Sequence, residues 1–358
     1  MVLLLDTVKI LLPSATAFII GIVITPAVAH YLYKYRMWKK KARTEGLGGG
    51  GTPIFNHLHK EKEVGTPRMG GIVIWGSVFI TTGIYWILSL SGGDLFVKLN
   101  FLSNNQTWLP LFTLFSASIV GLVDDFLQVY GRGTYIAGGL SLTRRILFVL
   151  LIGFVGACWF YFKLEQNSII LPFLGEFTLG ILFIPLFMLV MLSLFSGGVI
   201  DGIDGLAGGV MASVFAAYAG IAFFQNQIDI AALSSVITGG ILAFLWFNIP
   251  PARFYMGETG MIGLTAVLSA IAFLTKAVIP LLLIALPLYV ASLSVIIQVS
   301  SKKLRKGKKV FLVAPLHHHF EALGWPPYKV TMRFWIVSII CAILGMVLAL
   351  VGQTGIFI

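Results

Sequence analysis

Long runs of apolar residues recur along this chain, and they limit what it can fold into. A helical crossing of a bilayer core needs about 20 largely apolar residues. Ten windows meet that need: 8–33, 70–90, 108–123, 146–163, 177–196, 206–224, 231–248, 259–275, 277–300 and 334–356. Within lipid every backbone N–H and C=O must be satisfied inside the protein, so each window is expected to be a helix. Only Lys276 separates the eighth window from the ninth. Pro280 and Pro287 should break or kink the ninth, because proline lacks an N–H and clashes with the preceding turn. The 358 residues are 58% hydrophobic and 11% charged, against about 45–50% and about 25% in soluble domains. They read as one all-α, polytopic integral membrane domain over 1–358, since no polar stretch is long enough for a separate core. The stretch "MVLLLDTVKILLPSATAFIIGIVITPAVAH" lacks a basic leader and a small-residue cleavage site, so it reads as a retained first span. Cys158 and Cys341 both fall in apolar runs and read as packing residues rather than a disulfide or metal pair.

Charge gives the orientation. With ten spans, the loops on one face are 34–69, 124–145, 197–205, 249–258 and 301–333, and they hold 21 of the 25 Lys and Arg residues. Lys9, Lys98, Lys163 and Lys276 are left for the other face. The excess of cations makes the first face cytoplasmic and places both termini on the outer, periplasmic face. The formal charge of +11 therefore reads as basic cytoplasmic loops facing anionic partners, and nucleic acid is discounted. In the first loop, "EGLGGGGTPIFNHLHKEK" lacks the Lys-Ser/Thr ending and the preceding strand of a phosphate loop, so it reads as a flexible stretch. On the outer face, "SIILPFLGEFTLG" suggests a short hairpin around Pro172 and Gly175.

Five acids on the cytoplasmic face, Asp124, Asp125, Asp201, Asp204 and Glu258, sit at the ends of spans instead of among the lysines. Ionisable groups so close to lipid are costly and tend to be functional. Asp201 and Asp204 are three residues apart and on a helical turn would point the same way. Asp124 and Asp125 are adjacent, so at most one can aim at a given ligand. Carboxylates gathered at one point repel each other unless a cation neutralises them, which argues for a divalent ion. Oxygen donors suit Mg²⁺ better than Zn²⁺, and Mg²⁺ completes its shell with water and substrate phosphates. His317, His318 and His319 lack the i, i+4 spacing of a zinc helix and read as donors to an anionic or polar ligand, or as structural residues. Asn248, Arg253, Tyr255, Gln298, Arg144 and Arg145 add further polar groups. Metal, cations and an aromatic ring are what a site for a diphosphate needs in phosphoryl transfer.

"GTPRMGG", "GLVDDF", "DGIDGLAGG", "FLWFN", "FYMGE" and "APLHHHFEALGWPPYKVTMRFW" together resemble the phospho-N-acetylmuramoyl-pentapeptide transferases, from about residue 66 to the C-terminus. The triple histidine followed by an acid looks like that branch, whereas the aspartate pairs are shared with the wider polyprenyl-phosphate N-acetylhexosamine-1-phosphate transferase superfamily. The resemblance implies ten transmembrane helices, a homodimer in the bacterial inner membrane and a Mg²⁺-dependent active site at the cytoplasmic face. It implies that UDP-N-acetylmuramoyl-pentapeptide donates its phospho-sugar to undecaprenyl phosphate, giving lipid I and UMP. By position, Asp124, Asp125, Asp201 and Asp204 match the family's catalytic acids. Asp201 and Glu258 would hold the metal, with Glu258 at a position where the family has aspartate. Asn248, Tyr255 and Gln298 fall where the family contacts the nucleotide, with the Tyr255 ring placed to stack on uracil. Arg145 stands for a site lysine, and His317, His318 and His319 match the histidine motif. Further departures are Gly198 for asparagine, Met261 for serine and Arg68 for threonine, so the resemblance is to a divergent member. Either Asp124 or Asp125 would serve the acceptor phosphate, and direct attack and a covalent aspartyl intermediate both stay open. Two other readings are a relative using UDP-N-acetylglucosamine and a membrane transporter. The latter would place ionisable groups at mid-membrane in facing repeats, a pattern absent from this sequence.

Overall fold

The computed structural model describes residues 2–40, 64–102, 106–132 and 138–354. The glycine-rich stretch of the first loop lies outside the described residues. Helices α1 (Val2–Lys34), α2 (Gly71–Ser89), the short α3 (Asp94–Leu99), α4 (Trp108–Val129) and α5 (Leu142–Cys158) lead to a hairpin. Strands β1 (Ser168–Leu171) and β2 (Gly175–Thr178) pair antiparallel with Ser168 opposite Thr178 and Leu171 opposite Gly175, as the turn signals imply. Then come α6 (Phe183–Ser196), α7 (Leu206–Phe224), α8 (Ile228–Asn248), α9 (Gly257–Leu274), α10 (Val278–Ile284), α11 (Leu286–Leu304), α12 (Leu316–Ala322) and α13 (Pro327–Thr354). Among the described residues nine helices are long and apolar enough to cross a membrane, and the pair α10 and α11 makes a tenth span bent by 75°. The break falls at Ala285, between Pro280 and Pro287, where prolines were expected to interrupt the run. The molecule is an all-α, polytopic membrane protein. The tilt of α11 leaves Leu293, Ile296 and Ile297 exposed, an apolar flank suited to lipid.

Burial ranks the helices. In α9, 94% of the apolar window is buried, against 22% in α1, so α9 is the central post and α1 a peripheral one. Helices in lipid gain little from burying apolar surface and associate through close van der Waals approach, which small residues permit. A Cβ added at Gly121 of α4 would lie 2.1 Å from the carbonyl oxygen of Glu258, and one at Gly263 of α9 2.1 Å from Ser118 Oγ. These two glycines set how closely α4 approaches α9 and therefore how closely Asp124 and Asp125 approach Glu258. At the opposite end of α9 its last carbonyls, orphaned as at any helix C-terminus, accept from glutamine amides. Gln166 Nε2 donates to Phe273 O at 2.8 Å, Gln227 Nε2 to Leu274 O at 3.2 Å and Gln225 Nε2 to Thr275 O at 2.9 Å. The post is thus fixed at both ends.

Two of the segment boundaries that differ from the sequence reading bear on the site. Helix α4 continues to Val129, so Asp124 and Asp125 lie inside it, both fully buried, rather than in a loop beginning at 124. Hydropathy ends the span early because it counts each acid as exposed, whereas here both carboxylates have partners inside the protein. Likewise α13 starts at Pro327 and takes in the last seven residues of the loop expected over 301–333.

Candidate active site

Several segments at one end of the bundle bring the polar groups together. Asp124 is held completely. Its Oδ1 accepts the Leu140 N–H at 2.6 Å and lies 3.1 Å from Arg145 Nε, and its Oδ2 accepts from Gln128 Nε2 at 2.6 Å. Ser141 caps α5, its Oγ accepting the Arg144 N–H at 3.4 Å, and so starts the helix that carries Arg145. Arg145 is buried, donates from Nε to Leu140 O at 3.2 Å and from Nη1 to Glu258 Oε1 at 2.6 Å, and thereby joins α5 to α9. Asp125, one residue on, faces another way. Its Oδ2 accepts from both the N–H (2.9 Å) and the hydroxyl (2.8 Å) of Thr259, while its Oδ1 is buried and accepts no hydrogen bond. Arg68 Nε stands 3.8 Å from that oxygen, and Arg68 Nη1 donates to Gln128 Oε1 at 2.8 Å. The adjacent aspartates are therefore split, as helix geometry requires.

Asp201 and Asp204 are not on a helical turn, contrary to expectation. Residues 201–205 form turns, and α7 begins only at Leu206 after Gly205, whose φ of +77° is a left-handed conformation open to glycine. The two carboxylates consequently separate. Asp201 Oδ2 accepts the N–H of Gly257, the first residue of α9, at 3.0 Å, and Asp204 Oδ2 accepts the Ala252 N–H, on the loop between α8 and α9, at 3.3 Å. Loss of water pushes the Asp201 carboxyl up to about 6, Arg68 and the Gly257 N–H pull it back, and Asp125 and Glu258 add to the rise. Burial and the neighbouring Asp204 push the Tyr255 hydroxyl up from its usual range, so it stays protonated.

The remaining candidates divide. Asn248 is buried, with Oδ1 accepting the Gly205 N–H at 3.0 Å and Nδ2 donating to Phe254 O at 2.8 Å. It braces the aspartate loop against the Tyr255 loop and presents no open face to a nucleotide. Gln298 is also taken up by backbone: Oε1 accepts the N–H groups of Val310 and Phe311 at 3.0 Å each, and Nε2 donates to Phe311 O at 2.8 Å. Both side chains, expected at nucleotide contacts, thus also hold loops in place. His317 and His318 do converge, since a Cβ on Gly202 would lie 2.7 Å from the Nε2 of each. Glu321 Oε2, 2.6 Å from His318 Nδ1, holds the proton on Nδ1 and turns Nε2 toward the aspartate loop. His319 turns away and accepts the Leu312 N–H at 3.2 Å.

Sequence reasoning missed several partners. Gln128 lies four residues after Asp124 and Glu321 three after His318, spacings that mark neighbours on a helix. Thr331, Trp335 and Ser338 form a polar stripe on one face of apolar α13. Thr331 Oγ1 donates to Asp204 O at 3.1 Å, Trp335 Nε1 to Gly205 O at 3.1 Å and Ser338 Oγ to Val210 O at 3.4 Å. Departures from the family pattern also pair in space: Arg145 meets Glu258, and a Cβ on Gly198 would touch the Met261 side chain at 3.6 Å.

Buried carboxylates and guanidiniums gather at one end of a helical membrane bundle, and residues 107–276 match the family model described as glycosyl transferase family 4. A phospho-N-acetylmuramoyl-pentapeptide-transferase from Anoxybacillus flavithermus is 34% identical over 343 residues, covering 94% of this chain and 96% of the relative. One from Dichelobacter nodosus is 33% identical over 95% of this chain and 92% of its own. Another from Desulforapulum autotrophicum is 37% identical over 80% of each. The chain belongs to the phospho-N-acetylmuramoyl-pentapeptide-transferase family.

Proposed function

We propose that the chain transfers phospho-N-acetylmuramoyl-pentapeptide from its UDP-linked donor to undecaprenyl phosphate at the cytoplasmic face of the bacterial inner membrane, yielding lipid I and UMP. The observation that carries this reading is Asp125 Oδ1, a buried acceptor without a hydrogen bond beside the other acids of the cluster. The relatives' shared name supports the donor. The loops of the active-site end carry most of the cations, which argues for a cytoplasmic position with both termini outside. The active form would be a homodimer, to be checked by light scattering of the solubilised protein.

A metal fits the donor set. Among the described residues no three His, Cys, Asp or Glu side chains form a metal cage. Mg²⁺ uses one or two carboxylates and completes its shell with water and phosphate oxygens, and Asp201 and Glu258 would hold it, with Asp125 Oδ1 beside them. When bound it supplies positive charge to the diphosphate.

The chain's own groups would do the rest. Asp124 has no oxygen to spare, so of the pair Asp125 would orient the acceptor phosphate or take its last proton. That phosphate, with a second pKa near ~6, is largely dianionic at neutral pH and needs no strong base. Its attack on the donor's sugar-bound phosphorus breaks the bond to the UMP oxygen, which leaves with the electron pair. Asp204 would hold the donor, the neutral Tyr255 ring would stack on uracil, and Asn248 would keep the two loops in register. His317 and His318 would reach the donor past Gly202.

UMP release from UDP-N-acetylmuramoyl-pentapeptide, with undecaprenyl phosphate and with or without Mg²⁺, tests this in wild type and Asp201→Asn. Lipid I formation that needs both the ion and Asp201 is expected. A GlcNAc-diphospholipid made from UDP-N-acetylglucosamine alone, or solute flux without UMP release, overturns it.

A further inference from the structure

Hydrogen bonds, ion pairs and the chain step from Glu258 to Thr259 link the groups around the carboxylates into a ring. Arg68 donates to Gln128, Gln128 to Asp124, and Arg145 bridges Asp124 and Glu258. Thr259, next to Glu258, donates to Asp125, whose other oxygen faces Arg68 again at 3.8 Å. The two guanidiniums in this ring are held differently. Arg145 is fixed by Leu140 O, Asp124 and Glu258, with its side chain 8% exposed. Arg68 is 19% exposed, and its approach to Asp125 is longer than a hydrogen bond, so that pairing is electrostatic.

The backbone around Arg68 is anchored to the proposed nucleotide loop. Tyr255 N donates to Pro67 O and Gly70 N to Tyr255 O, each at 2.8 Å, while Arg68 N donates to Met37 O at 2.8 Å. A phosphate attached to a base stacked on Tyr255 therefore comes within the compass of the Arg68 side chain. A divalent ion held by Asp201 and Glu258 beside Asp125 Oδ1 would bring a second positive charge toward the guanidinium, where like charges repel. The guanidinium must then give up Asp125, and its planar fork suits two phosphate oxygens.

We infer that Arg68 is an exchangeable cation of the site: it neutralises Asp125 when no divalent ion is bound and binds the donor's diphosphate once the ion takes its place. Gln128, bonded to Nη1, is the pivot of that exchange. The inference rests on the metal-dependent transfer proposed above and makes Arg68 a substrate-binding residue.

The test uses the full-length, detergent-solubilised protein and the variants Arg68→Met and Arg68→Lys. Thermal unfolding is measured in EDTA and in Mg²⁺ without substrate, and binding of UDP-N-acetylmuramoyl-pentapeptide by calorimetry in Mg²⁺ without acceptor lipid. Wild type and Arg68→Lys should unfold at nearly the same temperature in both buffers, whereas Arg68→Met should be weakened in EDTA and rescued by Mg²⁺. Donor affinity should fall about tenfold or more in Arg68→Met, where a charge-assisted hydrogen bond is removed, and by less in Arg68→Lys, which keeps the charge without the fork. Equal sensitivity to EDTA in Arg68→Met and wild type overturns the neutralising half, and unchanged donor affinity in Arg68→Met overturns the binding half. The unfolding arm contains no substrate, so a mistaken donor would show as failure of wild type to bind while leaving that arm decisive.

Discussion

Arg145→Met is the sharpest probe of how the carboxylate cluster is held. The Arg145 side chain is 8% exposed and reaches Asp124, fully buried, at 3.1 Å and Glu258, 27% exposed, at 2.6 Å. Taking one partner from a buried ion pair leaves the other charge uncompensated and costs about 3–5 kcal/mol. Asp124 sets that scale here, because Glu258 can turn to water and adds little. Arg145→Lys keeps the charge, but a single ammonium cannot serve two carboxylates as the fork does, so a cost of about 1.5–3 kcal/mol is expected for the missing charge-assisted hydrogen bond. Glu258→Asp withdraws its carboxylate by one methylene from the 2.6 Å pairing, so Arg145→Lys and Glu258→Asp remove the same interaction. The double variant should then be more stable than the sum of the singles predicts by about 0.5–3 kcal/mol. Reversible unfolding in mixed micelles with SDS, followed by tryptophan fluorescence, measures all four proteins. Arg145→Met within about 0.5 kcal/mol of wild type, or strict additivity in the cycle, would refute the reasoning.

Asp124→Asn should destabilise the fold by weakening the pairing with Arg145, whereas Asp125→Asn should keep stability within about 1 kcal/mol and abolish turnover; the reverse pattern in unfolding and UMP-release assays would exchange their roles. Thr331→Val and Trp335→Phe each remove one hydrogen bond to the aspartate loop and should lower kcat about three- to tenfold with little change in KM. Ser338→Ala, acting on Val210 beyond that loop, serves as the control, and an equal loss in all three would show a general packing effect. The Asp201 carboxyl is pushed up to about 6; protons compete with Mg²⁺ below that value, so the half-saturating Mg²⁺ concentration should rise about tenfold per pH unit as pH falls below 6. In a residually active Asp201→Asn protein that slope should vanish.

The number and type of spans were legible in sequence because lipid leaves the backbone one solution per apolar run, and prolines mark where such a run must break. The hairpin was legible for a similarly local reason, in its turn residues. The acids too could be singled out, since Asp124, Asp125, Asp201, Asp204 and Glu258 stand where charge is costly. What those acids touch was not legible. A spacing of three suggested that Asp201 and Asp204 act together, yet the left-handed turn at Gly205 and the N–H groups of Gly257 and Ala252 send them apart. That Asn248 and Gln298 brace loops was not legible either, because motif position does not show that Gly205 and Phe254, or Val310 and Phe311, reach them. Arg68 looked like a mere departure until α4 was seen to bring Asp125 and Gln128 to it. The sequence by itself determined an all-helical membrane protein and the chemistry its polar residues could supply, since both follow from the energetics of burying backbone and charge one segment at a time. Only the tertiary structure decided which carboxylate is paired and which has an oxygen to spare, because close approach of α4 and α9 at glycines, and not spacing along the chain, sets those distances.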